Sequence, residues 1–427
     1  MFSINPEFDI QSMKISILLI FLFLGLQRSN AQFDTLTHFN QVIRDMIVFD
    51  NKLFIGGNFT NNQDSIHCYW SAYYNGSSII RHTNLIGGGG PREFAVFNNE
   101  LYAVGDWGFT FDPNIGVAKW NGSTWQQAGG SNSNHWSILA DENYLYVATP
   151  GGVIRRKTAS GSFLPFKDLS TTGNVSIFKM ISYQGKLCVM GNFTELEGVP
   201  VRNIALWNGS TWEALGTGVG SNVTEAVVYQ NELYIAGSFN EAGGVTAKNI
   251  AKWNGTSWSD VGMSITGTSW NGIRALVPCG NLLFALGDFD EIGNQAADDI
   301  ASWDGQQWTT YNFTHPESIL NTGVEYNGRL YFGTFDFTRS NVYGYSGNFL
   351  SLDESETTSL SIYPNPSNGI FRLSDDYKES SYEVLNTTGQ VILSGNNSVI
   401  DLSGQESGIY LLRFQGRHSE MLRLIKE

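Results

Sequence analysis

The chain is written in short phrases of alternating apolar and polar residues, punctuated by Gly, Asn, Asp and Ser. That spacing has the two-residue period of half-buried strands, not the 3.6-residue period of helices. One phrase, Asn231-Glu232-Leu233-Tyr234-Ile235-Ala236-Gly237-Ser238-Phe239, recurs in altered form with its Leu at Leu53, Leu101, Leu145, Leu187, Leu233, Leu283 and Leu330. A second phrase follows it: Ile204 to Trp212, Ile250 to Trp258 and Ile300 to Trp308 set apolar residues on both sides of an Asn-Gly or Asp-Gly pair, with Val117 to Trp125 close behind. Such pairs signal a hairpin, because both central residues tolerate positive φ. Each repeat, 42 to 50 residues long, therefore predicts four antiparallel strands A to D, such as strand A at Ala226 to Tyr229 and strand B at Leu233 to Phe239. Seven repeats predict a seven-bladed β-propeller over residues 32–352. The first opens on a strand A and the seventh ends on a strand D near Leu352, which favours flush closure and leaves strand exchange open.

The pairs Trp120/Trp125, Trp207/Trp212, Trp253/Trp258 and Trp303/Trp308 recur across the C-to-D hairpin and read as core. The third repeat, around Arg155-Arg156-Lys157, keeps only Phe163 and reads as the degenerate blade. The string from Gly237 to Trp258, GSFNEAGGVTAKNIAKWNGTSW, resembles the repeats of bacterial surface propellers and of fungal cortical-marker proteins, and more loosely kelch repeats. The resemblance covers roughly residues 42 to 352 and implies extracellular or cell-surface interaction.

At the N-terminus, Met13-Lys14, the apolar run Ile15 to Leu26 and the small residues before Gln32 read as a secretory signal peptide over residues 1–31. The run is too short to span a bilayer, which takes roughly 20 apolar residues, and no later segment qualifies. At the other end, residues 353–357 read as a polar linker. Beyond them Leu360 to Gly369 enters a sharp turn through Pro364 and Pro366, and short alternating segments from Ile370 to Ile425 predict a small immunoglobulin-like β-sandwich.

Residues 358–427 closely resemble the type A sorting domain of the type IX secretion system of Bacteroidota. The matching strings are SIYPNPSNG from Ser361, YEVLNTTGQVI from Tyr382, SGIYLLRF from Ser407 and LRLIKE from Leu422. The resemblance carries the sorting motif onto Tyr363, Pro364, Asn365, Pro366, Gly369, Gly389, Gly408, Tyr410 and Lys426. It implies the type IX machinery as partner, passage through the periplasm, and a protein secreted or held on the outer cell surface.

Composition narrows the partners. With 40 acidic against 25 basic residues the net charge is −15, which disfavours nucleic acid and anionic membranes. Three Cys, at 68, 188 and 279, make no disulfide framework and read as buried thiols. The six His lack metal-ligand spacing, no nucleophile elbow occurs, and Asp288 to Asp299 lacks the spacing of a calcium loop, so neither metal nor cofactor is expected.

Function is expected on the face carrying the B-to-C and D-to-A connections, which are long and varied. Trp107, Trp136 and Trp270 lie in those connections and suit stacking on sugars, or capping of the blades. Counting nine residues back from each repeat Leu gives Arg44, Arg92, Trp136, Phe178, Thr224, Arg274 and Asn321. If strand A lines a channel, Arg44, Arg92 and Arg274 ring its mouth, suited to an acidic glycan unless they pair with acids such as Asp45 and Glu93. A non-enzymatic surface protein binding a glycan or another protein is the reading favoured. The alternatives are an extracellular polysaccharide lyase or hydrolase, and a structural spacer.

Overall fold

The computed structural model describes residues 33–61, 70–82, 90–105, 116–129, 135–172, 175–262, 272–311, 313, 319–337, 339–345, 362–363, 367, 369–373, 381–386, 390–414 and 421–426. Two compact units result, Met1–Phe349 and Leu350–Glu427. Helical structure among the described residues is one 3-10 turn at Leu169–Thr172.

Within the first unit the described residues form seven four-stranded antiparallel sheets. Their A strands are Ile43–Phe49, Pro91–Phe97, Ser137–Ala140, Ser176–Tyr183, Val223–Tyr229, Gly272–Cys279 and Ile319–Tyr326. Each packs beside the A strand of the next sheet, and the seventh packs beside the first. The fifth sheet runs Val223–Tyr229, Glu232–Gly237, Ile250–Trp253, Trp258–Asp260, with the Asn254-Gly255 turn between the last two strands. There Asn254 Oδ1 accepts the backbone N–H of Thr256 and of Ser257, and Gly255 sits at φ +102. The third repeat lacks that turn yet still builds four strands, ending in Val153–Lys157 and Leu164–Asp168.

The seventh sheet corrects the expectation of flush closure. Its strands Ile319–Tyr326, Arg329–Phe335 and Ser340–Tyr345 are completed by Phe33–Phe39 from the start of the chain, with Phe33 opposite Tyr345 and Phe39 opposite Ser340. The strand D expected near Leu352 lies outside the described residues. With that strand in place every residue of Ser340–Tyr345 is buried, and an edge that would otherwise stay unpaired is covered. Phe33 supplies rings to pack, 4.5 Å from Phe313 and 5.1 Å from Tyr345, while Phe39 stacks on Phe59 at 4.0 Å.

Tryptophan pairs bind neighbouring sheets together. In the pairs at 207/212, 253/258 and 303/308 the ring centroids lie 5.3 Å apart. The second ring reaches the preceding sheet: Trp258 Nε1 donates to the Leu215 carbonyl at 2.8 Å, Trp308 to that of Val261 at 2.7 Å, and Trp125 to Ser71 Oγ at 3.2 Å. Cys188 and Cys279 are free and buried, and Cys68 lies outside the described residues.

In the second unit a three-stranded sheet (Ile362–Tyr363, Ile370–Leu373, Val399–Asp401) and a four-stranded one (Val391–Gly395, Tyr382–Leu385, Gly408–Phe414, Met421–Lys426) share one core. Phe371 and Ile400 meet Val384, Leu412 and Leu424 there, as a sandwich requires.

Because Trp258 is both core and inter-sheet bond, Trp258→Ala is expected to cost about 3–5 kcal/mol. Urea unfolding of the full chain checks this, and a loss below about 1 kcal/mol contradicts the role.

Candidate functional site

Six of the seven A strands carry a β-bulge at the same place. The register skips Arg44, Arg92, Phe178, Thr224, Arg274 and Asn321, and Trp136 immediately precedes the third A strand. These are the residues found by counting back from the repeat Leu. Their predecessors, such as Ile43, Ile177 and Val223, are wholly buried. An extra residue in one strand lets two consecutive side chains face the same side. The bulge thus turns a second set to the same side as well, including Asp45, Glu93, Lys179 and Glu225, of which the sequence singles out only Asp45 and Glu93, as partners for the arginines.

Both sets meet in one cavity of about 390 Å³, lined by Arg44, Arg92, Trp136, Phe178, Thr224, Arg274 and Asn321 from the first set and by the four charged residues of the second. The bulge also explains the Gly that ends strand B. A Cβ on Gly237 would stand 2.1 Å from the Asn222 carbonyl oxygen, which the bulge presses against it.

The second layer works as a belt. Asp45 Oδ2 accepts the Phe94 N–H at 2.8 Å, Glu93 Oε2 accepts the Ile138 N–H at 2.7 Å, and Ser137 Oγ accepts the Met180 N–H at 3.0 Å. In each case a side chain of one sheet satisfies the A strand of the next. Asp45 Oδ1 further accepts the Met46 N–H at 2.9 Å. Lys179 Nζ bridges Glu93 at 2.9 Å and Glu225 at 3.4 Å. Burial pushes Asp45 up to about 7, helped by Glu93, and burial also raises Glu225. Although burial opposes the Lys179 charge, Glu225 and Glu93 outweigh it and raise that group.

In the upper layer the Arg92 guanidinium lies 4.8 Å from the Trp136 ring centroid, and Trp136 stacks on Phe178 at 6.2 Å. Arg274 lies 5.5 Å from the ring of Phe335, which touches Phe337, a side chain 72% exposed. Burial lowers Arg274, with Asp288 opposing. Asn321 donates to the Ile43 carbonyl at 2.9 Å. Trp107 and Trp270 lie outside the described residues.

Three B-to-C connections are less varied than their sequences suggest. The fourth, fifth and sixth sheets share a miniature hairpin, Glu195–Leu196 with Val199–Pro200, Glu241–Ala242 with Val245–Thr246, and Glu291–Ile292 with Gln295–Ala296. Each follows a buried Phe at 193, 239 or 289. In the last, Asp299 Oδ1 accepts the Phe289 N–H at 2.7 Å, and no group of acids, His or Cys able to hold a metal occurs among the described residues. Ser71 Oγ lies 2.7 Å from His82 Nδ1, yet both are buried and burial lowers His82 to about 3, so the pair is core.

In the second unit Tyr363 pairs with Arg372, and Gly408 with Lys426. Gly369 holds φ +113 with Ser403 Cα 2.8 Å from where a Cβ would be, and Tyr410 Oη donates to the Glu406 carbonyl at 2.7 Å. Pro364, Asn365, Pro366 and Gly389, like residues 1–31 and the linker 353–357, lie outside the described residues.

Because the folded chain holds the Asp45 proton more tightly than the unfolded chain, Asp45 contributes most at acid pH and loses that contribution as pH rises from 3.8 towards about 7. The stability of wild type relative to D45N, measured by urea unfolding, should fall across that window. A difference that stays flat overturns this account of the belt.

Residues 361–427 match the family model of the secretion system C-terminal sorting domain. No curated protein matches the chain in sequence. Among solved structures it is similar to PorZ, an essential bacterial surface component of the type IX secretion system of Porphyromonas gingivalis, at TM-score 0.39 and 14% identity over 88% of this chain. The chain spans 64% of the length of PorZ. It is also similar to a catalytically inactive virginiamycin B lyase from Staphylococcus aureus with quinupristin, at TM-score 0.49 and 11% identity over 73% of this chain and 98% of that one.

Proposed function

We infer that the sorting domain matched at residues 361–427 marks the chain for export by the type IX secretion system, to the cell surface or into the medium. No helix among the described residues is long and apolar enough to cross a membrane. We propose that residues 32–352 of this Bacteroidota-type protein form a closed seven-bladed propeller, preceded by a signal peptide over residues 1–31 and followed by a sorting domain over 358–427. Its loop-face mouth is a ligand-binding site for a glycan or a surface protein, without catalysis.

One observation carries this reading. The first-layer residue of every repeat, an Arg in three and a Trp, Phe, Thr or Asn in the others, lines a single cavity. Side chains that only packed a core would be apolar in most repeats, as their buried predecessors are. The cavity falls within the roughly 300–1,000 Å³ of ligand sites.

An extracellular lyase or hydrolase would draw on Asp45 as its acid, since a carboxyl near 7 in a cleft is the usual mark of one. Both Asp45 oxygens accept backbone N–H groups, however, and Ser137 does the same work in the third sheet, where no proton chemistry is available. The repeated role favours structure over catalysis.

Deleting residues 358–427 should leave the protein in the periplasm, read by cell fractionation, and normal export of the truncated chain would sink the sorting assignment. For the mouth, a glycan array and a surface-protein pull-down with the full chain should each be compared with Trp136→Ala. Signals unchanged by the substitution, or none in either assay, would count against it.

A further inference from the structure

We propose that the mouth takes the carboxylate of a single acidic sugar residue, of the uronic acid class, rather than a polyanion or a peptide. This rests on the reading of the mouth as a binding site and names its ligand.

The first ground is charge. Among the described residues, Arg44, Arg92, Arg274 and Lys179 line the cavity against Asp45, Glu93 and Glu225. On that lining the cations outnumber the acids by four to three, with Asp288 also acting on Arg274, so the cleft departs from the net charge of −15 carried by the whole chain. Over roughly 8 Å, the screening length at physiological salt, those cations act on a ligand in the mouth. A highly charged polymer extends beyond the mouth and lays its further charges against the acidic remainder of the surface, within that same length. A single negative charge satisfies the first condition without incurring the second.

The second ground is the way two of the cations are held. Arg92 lies over Trp136 and Arg274 over Phe335, each ring belonging to the sheet that follows the arginine. An arginine held against an aromatic ring keeps its guanidinium donors in one planar fork, which a carboxylate meets with two parallel hydrogen bonds. Contact with the ring also restricts the side chain before the ligand arrives, which lowers the ordering cost of binding.

The third ground is the wall. Trp136 and Phe178 form an apolar arc, whereas Thr224 and Asn321 place polar groups elsewhere on the lining. A pyranose ring presents one C–H face and hydroxyl edges, and so matches a lining divided in this way. An extended acidic peptide has no such face.

The test is calorimetric titration of the full chain with four probes: a trisaccharide ending in glucuronic acid, the same trisaccharide with its carboxyl reduced to the alcohol, a sulfated polysaccharide, and an Asp-rich peptide. The acidic trisaccharide is expected to bind at least tenfold more tightly than its reduced form. Arg92→Ala should remove that preference while leaving the weak binding of the reduced form in place, and Trp136→Ala should weaken both. Should Arg92→Ala fold poorly, Arg274→Gln supplies the same comparison. Equal affinity for acid and alcohol overturns the carboxylate assignment and leaves the mouth as a site for neutral sugar. Tighter binding of the polymer or the peptide overturns the ligand class. Silence with all four probes also overturns it, and the array and pull-down then decide whether the mouth binds anything else.

Discussion

Each A strand has only one partner strand in its own sheet, so its other edge needs acceptors and donors from elsewhere. Unpaired backbone groups at a packed edge are expensive, of order 1–3 kcal/mol each. The solution is the same at three successive places: an oxygen from Asp45, Glu93 or Ser137 reaches the amide of the next sheet. The bulge makes this reach available, because it turns the residue after the mouth residue inward as well. Carboxylates gathered this closely need a counter-charge, and Lys179 stands between Glu93 and Glu225. Sheet contacts, the Gly at the end of strand B and the charge of the cavity floor all follow from satisfying that edge.

The mouth is free to vary for the same reason. The floor meets the backbone's demands, and the layer above has no structural task common to every repeat. Arg44, Trp136, Thr224 and Asn321 occupy equivalent positions with unrelated chemistry. Support of the backbone and a variable lining are thus carried by adjacent residues in one strand.

Much of this was legible in the sequence, because Leu and Trp recur at fixed offsets and each offset is a strand position. The mouth residues followed from the same offset. The bulge did not, since Arg, Phe, Thr and Asn all occupy it and its trace lies on the partner strand, in the Gly that ends strand B. The miniature hairpins left one that passed unread: Phe193, Phe239 and Phe289 are each followed two residues later by Glu. The closing strand was missed because Phe33–Phe39 stands apart from any repeat Leu, and its place is set by an edge some 300 residues away.

That pairing makes the first strand of the unit wait for the last. Six sheets can assemble from neighbouring segments as the chain emerges, but Phe33–Phe39 finds its partner only when Ser340–Tyr345 has arrived. Until then it is an unattached strand of high β-propensity, open to pairing with another molecule. The final step of folding is a long-range loop closure, whose entropy the chain meets once, for the whole unit. Such a unit gains its full cooperativity only as a complete chain, so an interrupted or clipped copy would present two further sticky edges, those of Phe33–Phe39 and Ser340–Tyr345.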